Sequence, residues 1–315
     1  RQATPCGRGI LSHLGVWLMR ALALLPLPVL RALGAWLGRV LHALAARRRR
    51  VGAINLEWCF GQVDASARDR WLREHFVAFA QAWLDRSWLW HGSRALIERR
   101  LNWTGDLQGL DESQPTVVFA PHFVGLDAGW TALTLRQSKP LATIYTPQRK
   151  RVVDDWMRSG RERFGQVCVC RREDGLQGIR SVLKQSGLLY LLPDLNHGVD
   201  ESVFVPFYGH PAATVPSLSR LARVGRARVV PVVTQLTAQG YDIWVGAPWA
   251  DFPTEDALAD TARMNRELER LIEGRESQYH WLHQRLKPRF GPWIGEHCLG
   301  QGCPVHNPLV HRLWE

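Results

Sequence analysis

Residues 115–127 read PTVVFAPHFVGLD. The first six are short in extent, rich in β-branched and aromatic side chains, and apolar without alternation, the pattern of a strand buried on both faces. Pro121-His122 then makes a turn, and a helix starts near Gly125. Working outward, the same unit recurs. Residues 141–145 predict a second strand, followed by a helix over 152–164. Residues 187–192 (GLLYLL) predict a third strand, ending at Pro193-Asp194, and residues 228–234 (RVVPVVT) a fourth. Residues 241–245 read as an edge strand and 255–273 as a long amphipathic helix. Upstream, Trp71, Leu72, His75, Phe76, Phe79 and Trp83 recur at threes and fours, which predicts a helix over 64–90. Strands alternating with helical stretches of roughly 10–15 residues imply an α/β fold, with a mixed, partly parallel sheet flanked by helices. No internal repeat or low-complexity linker interrupts it. The expected organisation is one α/β domain over residues 51–293, a helical segment over 1–50 and a tail over 294–315.

In open α/β sheets the chemistry gathers where strands end and the chain turns into helices. Those ends offer His122 and Asp127 after the first strand, Asp194 after the third, and Arg158, Arg161 and Arg163 before Gly165. A carboxylate five residues after a turn histidine can fold back onto one ring N–H, fixing the tautomer and leaving the other nitrogen as a base. The same spacing fits a carboxylate that merely favours the helix dipole beside a strand-end histidine. Spacing alone leaves both readings open. Arg161 can equally be a solvated helix residue, and Asp194 a turn residue after Pro193.

Composition narrows the class. Of 315 residues 46% are hydrophobic, which excludes a mainly disordered chain. Forty Lys+Arg against 29 Asp+Glu give +11 and point to an acidic partner. The arginines are scattered and no nucleic-acid motif occurs, so nucleic acid is not the expected partner. Fifteen Trp suit a membrane–water interface or a wide groove. Six cysteines, unevenly spread, suit a reducing compartment better than a disulfide framework. No cleavable signal is evident. Residues 10–46 are strongly apolar, yet Arg20, Arg31 and Arg39 interrupt them, and runs free of charge reach only ten residues, as in 21–30. A spanning helix wants about 20, and Pro26 and Pro28 break the stretch in two. Arg31, Arg39 and His42 fall within about an 80° arc, a narrow polar stripe on an apolar helix. With the basic run Arg47–Arg50, this reads as a segment lying on an anionic membrane surface.

Taken together, several segments resemble one family. FAPHFVGLD resembles the His-x4-Asp/Glu signature of membrane-associated glycerolipid acyltransferases. LLPLPVLRALG, AINLEWCF, YTPQRKRVVDDWMRSGRERFG, LLPDLNHGVDESVFVPFYGHPAAT, RVVPVVTQ and QYHWLHQRLKPR narrow the resemblance to the late (lauroyl/myristoyl) acyltransferases of lipid A biosynthesis. The match runs over roughly residues 14–290 in the family's order. It implies a glycerolipid-acyltransferase-like domain, with His122 as general base and Asp127 as its orienting partner. Arg161 and Asp194 would be substrate-binding. It implies acyl transfer from an acyl carrier protein to a hydroxyl of a lipid A precursor, on the cytoplasmic face of a bacterial inner membrane among anionic lipids. No metal or cofactor is required. Other readings are a different glycolipid or phospholipid acceptor, or a non-catalytic basic lipid-binding protein. Two departures stand out: Asp127 replaces the common Glu, and Pro121 the common Asn. No G-x-S-x-G elbow or Cys-His dyad is recognisable, so direct transfer is expected, with backbone N–H groups near Gly125 meeting the oxyanion. Trp281, His283, Arg285 and Lys287 read as structural or substrate-rim residues. His297, Cys298, Cys303 and His306 have zinc-like spacing, but in a Gly/Pro-rich tail they read as incidental.

Overall fold

The computed structural model describes residues 6–286 apart from 112, 197, 199 and 200; side chains of 6–11 and 172 are outside the description. The His297–His306 cluster and Lys287 therefore lie outside the described residues. Four helices come first: α1 (Cys6–Leu22), α2 (Leu27–Leu44), α3 (Ala46–Cys59) and α4 (Ala65–His91). The short α5 (Arg94–Glu98) leads into β1 (Leu101–Gly105), α6 (Gln108–Asp111) and β2 (Thr116–Phe119). Then follow α7 (Leu126–Arg136), β3 (Leu141–Tyr145), α8 (Arg151–Arg161), β4 (Val167–Arg171), α9 (Gln177–Lys184) and β5 (Leu188–Leu191). A hairpin of β6 (Val203–Phe207) and β7 (His210–Thr214) precedes α10 (Ser217–Gly225), β8 (Arg228–Leu236), β9 (Tyr241–Val245) and α11 (Ala257–Ile272).

Seven strands form one sheet in the order β1-β9-β8-β2-β5-β3-β4. Every neighbouring pair is parallel except β8 with β9. The central strands are buried on both faces because helices cover both. Side chains alternate across a strand, so Val117 and Phe119 of β2 join Leu189 and Leu191 of β5 in one core. Val118 and Tyr190 enter the other, with Trp88, Trp130 and Leu133. β9 is not the edge strand that its sequence suggests. β1 pairs beyond it in parallel register, Leu101 against Tyr241. LNWTG buries only its first residue fully, so it lacks the apolar run that marks the other strands. β4 and the β6–β7 hairpin likewise go beyond the sequence reading.

The two prolines split the amino-terminal stretch as expected, with Pro26 as the N-cap of α2. The polar stripe, however, is turned partly inward. Arg31 is ion-paired with the fully buried Asp85 of α4. Asp85 also accepts from Trp88 Nε1 (2.8 Å) and from the Tyr241 hydroxyl (2.6 Å). His42 packs edge-on against Phe76. Gly34 and Gly38 let α2 press backbone to backbone on α4: a Cβ on Gly38 would come within 2.5 Å of Val77 Cα. The opposite face leaves Val29, Leu33, Trp36 and Leu44 exposed, beside Leu14, Trp17 and Leu18 of α1. Among the described residues no single helix is long and apolar enough to cross a membrane; α2 and α3, bent at 90°, reach that length and composition only as a pair.

Removing the hub carboxylate tests this arrangement. Asp85→Ala leaves the buried Tyr241 phenol and Trp88 indole N–H without this acceptor, and the half-buried Arg31 guanidinium with carbonyls but no counter-charge. It should lower unfolding free energy by about 3–5 kcal/mol in denaturant titration, more than Glu98→Ala at an exposed helix pair.

Candidate active site

Parallel register builds the centre. Phe119 of β2 faces Leu191 of β5, and Ala120 N–H continues the ladder to Leu191 O (2.9 Å). Three residues beyond each strand stand His122 and Asp194. Asp194 Oδ1 lies 2.8 Å from His122 Nδ1, and its Oδ2 accepts the backbone N–H of His122 (3.0 Å). Two bonds from one carboxylate fix both the main chain and the ring. Nδ1–H directed at Asp194 leaves Nε2 with the lone pair. Asp194 is fully buried, while the His122 side chain is 18% exposed. Burial opposes ionisation of Asp194, but His122, through charge and hydrogen bonds, and the charge of Arg285 carry its pKa down to about 2. Burial first, and then the Asp194 charge, push the neighbouring Tyr279 phenol up.

Asp127 does not reach the imidazole, contrary to the pairing expected from sequence. It sits in the first turn of α7, where its Oδ2 accepts from Arg86 Nε (2.7 Å) and its Oδ1 from Arg161 Nε (3.0 Å). Burial again opposes the charge, and Arg161 and then Arg86 outweigh it, lowering the pKa to about 2. The reason lies in packing. Trp130, one turn on, donates from Nε1 to Arg161 O (2.8 Å), so α7 turns this face to the end of α8 and not to the β2 turn. Of the three arginines before Gly165, Arg161 alone meets this carboxylate. Arg158 pairs with Glu162, and Arg163 donates to carbonyls at the end of α4. Gly125 has an ordinary φ of −83°. Its small size matters because a Cβ would meet Thr234 O at 2.8 Å.

The segment 278–285 closes the site. His280 N–H donates to His122 O (2.9 Å), Val124 N–H to Gln278 O (2.9 Å), and Phe123 bridges to Tyr279. The His280 ring lies 6.4 Å from that of His122 and stacks on Phe79. Burial first, then His75 and His122, hold it neutral, its pKa well below the usual imidazole value. Asn55 anchors the segment by donating to Trp281 O and His283 O. Arg285 is buried and donates to Ala213 O, Thr214 Oγ1 and Asn265 Oδ1. Arg86, His280 and Tyr279 are absent from the sequence-derived set. Arg86 is one arginine among many, and only the tertiary packing distinguishes it. Among the described residues no group of three or more His, Cys, Asp or Glu is placed to hold a metal ion.

Fold and site thus define an α/β protein with a carboxylate-held histidine at the ends of parallel strands, and its relatives are acyltransferases. The chain belongs to the bacterial lipid A biosynthesis acyltransferase family, whose profile matches residues 6–288. It is 31% identical over 288 residues to the lipid A biosynthesis myristoyltransferase of Escherichia coli K12, covering 88% of this chain and 87% of that protein. The palmitoleoyltransferase of the same strain is 29% identical over 277 residues, covering 84% and 87%. The lauroyltransferase is 28% identical over 290 residues, covering 89% and 92%. The chain is accordingly an acyltransferase enzyme of lipid A biosynthesis.

The depressed carboxylates predict acid sensitivity with a definite sign. A group with a pKa near 2 when folded and near 3.8 when unfolded stabilises the fold above about pH 4 and loses that contribution as pH falls towards 2. Each is worth about 2 kcal/mol at neutral pH. Asp127→Asn and Asp194→Asn should be less stable than wild type at pH 7, with the gap closing by pH 2 in denaturant titrations. A gap independent of pH would contradict the assignment.

Proposed function

We propose that this enzyme moves a fatty acyl chain from an acyl carrier protein thioester to a hydroxyl of a lipid A precursor, with His122 as general base and Asp194 as its orienting carboxylate. The observation that carries this reading is the two-point grip of Asp194 on His122, which presents Nε2 as the proton acceptor. Nε2 takes the hydroxyl proton as the oxygen attacks the thioester carbonyl. Asp194 stabilises the resulting imidazolium without taking the proton. The tetrahedral carbon then expels the thiolate, and His122 returns its proton. General-base help of this kind is worth ~10²–10⁴-fold.

Asp127 has a different part in this scheme from the one its spacing suggests. It holds Arg86 and Arg161 together, and two guanidiniums against one carboxylate leave one positive charge over. That surplus suits a phosphate of the acceptor or the developing oxyanion. The Gly125 N–H, at the N-cap of α7, is a second candidate donor for the oxyanion. A positive chain matches both an acidic carrier protein and an anionic glycolipid.

The exposed apolar face of α1 and α2 supports attachment of residues 1–50 to the cytoplasmic face of an inner membrane. Trp17 and Trp36 are each 64% exposed, and Arg20, Arg39, Arg47 and Arg50 lie exposed along the same two helices and the start of α3. Apolar side chains with arginines at hand suit an interface of anionic headgroups.

Mass spectrometry of a tetra-acyl lipid A precursor, incubated with enzyme and acyl carrier proteins loaded with ten- to sixteen-carbon chains, tests the chemistry. One added acyl mass is expected. His122→Ala should lose ~10²–10⁴-fold in kcat, and Asp194→Asn should follow it. Transfer surviving His122→Ala would sink the mechanism, and acylation of a phospholipid instead would move the acceptor. For membrane attachment, Leu33→Asp/Trp36→Asp removes roughly 1.5–3 kcal/mol of apolar burial per side chain. Flotation with vesicles containing phosphatidylglycerol should weaken at least about tenfold, and unchanged flotation would count against the face.

A further inference from the structure

β4 carries two cysteines at alternate positions, Cys168 and Cys170. The two-residue period of a strand turns both to one face, here the face covered by α9, where Cys170 packs with Ile179 and Val182. Their Sγ atoms stand 2.7 Å apart, well inside ordinary non-bonded contact, and both thiols are free. Gly178 of α9 makes the room. A Cβ there would come within 3.0 Å of one sulfur and 3.1 Å of the other. β4 is also the outermost strand, paired through β3 alone. The proposed transfer uses neither thiol.

We propose that Cys168 and Cys170 form a reversible dithiol–disulfide site, closed by hydrogen peroxide and opened by a thiol reductant. The Cys168 thiolate attacks a peroxide oxygen, the O–O bond breaks, and hydroxide leaves and is protonated to water. Cys168 becomes a sulfenic acid. The Cys170 sulfur then attacks Cys168 Sγ, the S–O bond breaks, and a second water departs with the Cys170 proton. Two thiols and one peroxide give one disulfide and two waters. Cys168 takes the first step because it is half-buried, whereas burial and its partner raise the Cys170 thiol to about 12.

Reversibility follows from strand geometry. Two strand residues span about 6.6 Å, at the far end of the roughly 4.4–6.8 Å over which disulfides bridge Cα atoms. The bond therefore closes with the Cα atoms near the upper limit of that range, and such stretched disulfides are readily reduced. Closing the bridge shortens that span and loads the pairing of β4 with β3, where Cys168 faces Ala142 and Cys170 faces Ile144. Five residues separate β4 from Arg161, so the strand lies close in sequence to one of the two arginines on Asp127.

The test is independent of transferase activity. Trypsin releases residues 164–171 (FGQVCVCR) as one peptide holding both cysteines. The intact protein is treated with graded hydrogen peroxide, quenched with N-ethylmaleimide in denaturant and digested. The doubly alkylated peptide should give way to an unalkylated one, two hydrogens lighter than the reduced unmodified peptide, and dithiothreitol before quenching should restore the alkylated form. Cys59, whose thiol burial pushes far up, should stay alkylated. Cys170→Ser should instead trap a dimedone-reactive Cys168. Hydrogen exchange should speed up across 141–145 and 167–171 in the oxidised protein. A peptide still doubly alkylated at peroxide doses that oxidise methionine would overturn the proposal. So would equal dimedone labelling of wild type and Cys170→Ser, or oxidation without change in exchange.

Discussion

A carboxylate taken out of water must be met by charge or by several donors, since an unpaired buried charge costs several kcal/mol. Five buried aspartates obey that constraint among the described residues: Asp154 and Asp260 through donors six residues away, and Asp85, Asp127 and Asp194 by reaching an element distant in the chain. Asp85 of α4 gathers Arg31 of α2 and Tyr241 of β9. Asp127 of α7 gathers Arg86 of α4 and Arg161 of α8. Asp194, after β5, gathers the ring and amide that follow β2. Satisfying the three carboxylates brings the amino-terminal helices, the helical layer and the strand ends into one arrangement. Apolar burial alone would leave their angular positions looser, because it is non-directional.

α4 carries two of these links on successive residues. Asp85 and Arg86 are 100° apart on the helix, so one turns to α2 and β9 while the other turns to α7 and α8. Gly34 and Gly38 then bring α2 into backbone contact with the same helix. The apolar face of α1 and α2 and the arginine pair of the site are thus held by one rigid helix. Any tilt of α2 on α4 displaces Arg31 from Asp85, an acceptor buried too deeply for water to substitute.

How much of this is legible in the sequence follows from the range of each signal. β2, β3, β5 and β8 announce themselves as continuous apolar runs. β1 does not, and without it β9 reads as an edge. The fold class survives that omission, but the strand order does not. At the site, His122 and Asp127 catch the eye because they are five residues apart, while His122 and Asp194 are 72 apart. Only the parallel register of β2 with β5 reveals that the second pair is in contact, and register is invisible to local spacing. The inward turn of Arg31 is hidden for the same reason. A helical wheel shows a polar stripe without showing that a buried acceptor waits for it.

The geometry also explains which departures from the family pattern this site can absorb. Asp127 is one methylene shorter than the glutamate that the family resemblance leads one to expect at its position. Its partners are guanidiniums on long side chains, each with several rotatable bonds, so a change of about one C–C bond is absorbed by their rotamers. Asp194 has no such slack. One oxygen meets a backbone amide and the other an imidazole nitrogen, both fixed by the turn after β2. Lengthening Asp194 to glutamate would break one bond to keep the other. Pro121 fits the same logic: it needs no N–H, and its carbonyl accepts Phe123 N–H at 2.7 Å to shape the turn that presents His122. Variation is therefore expected to be tolerated around the arginine pair and refused around the imidazole.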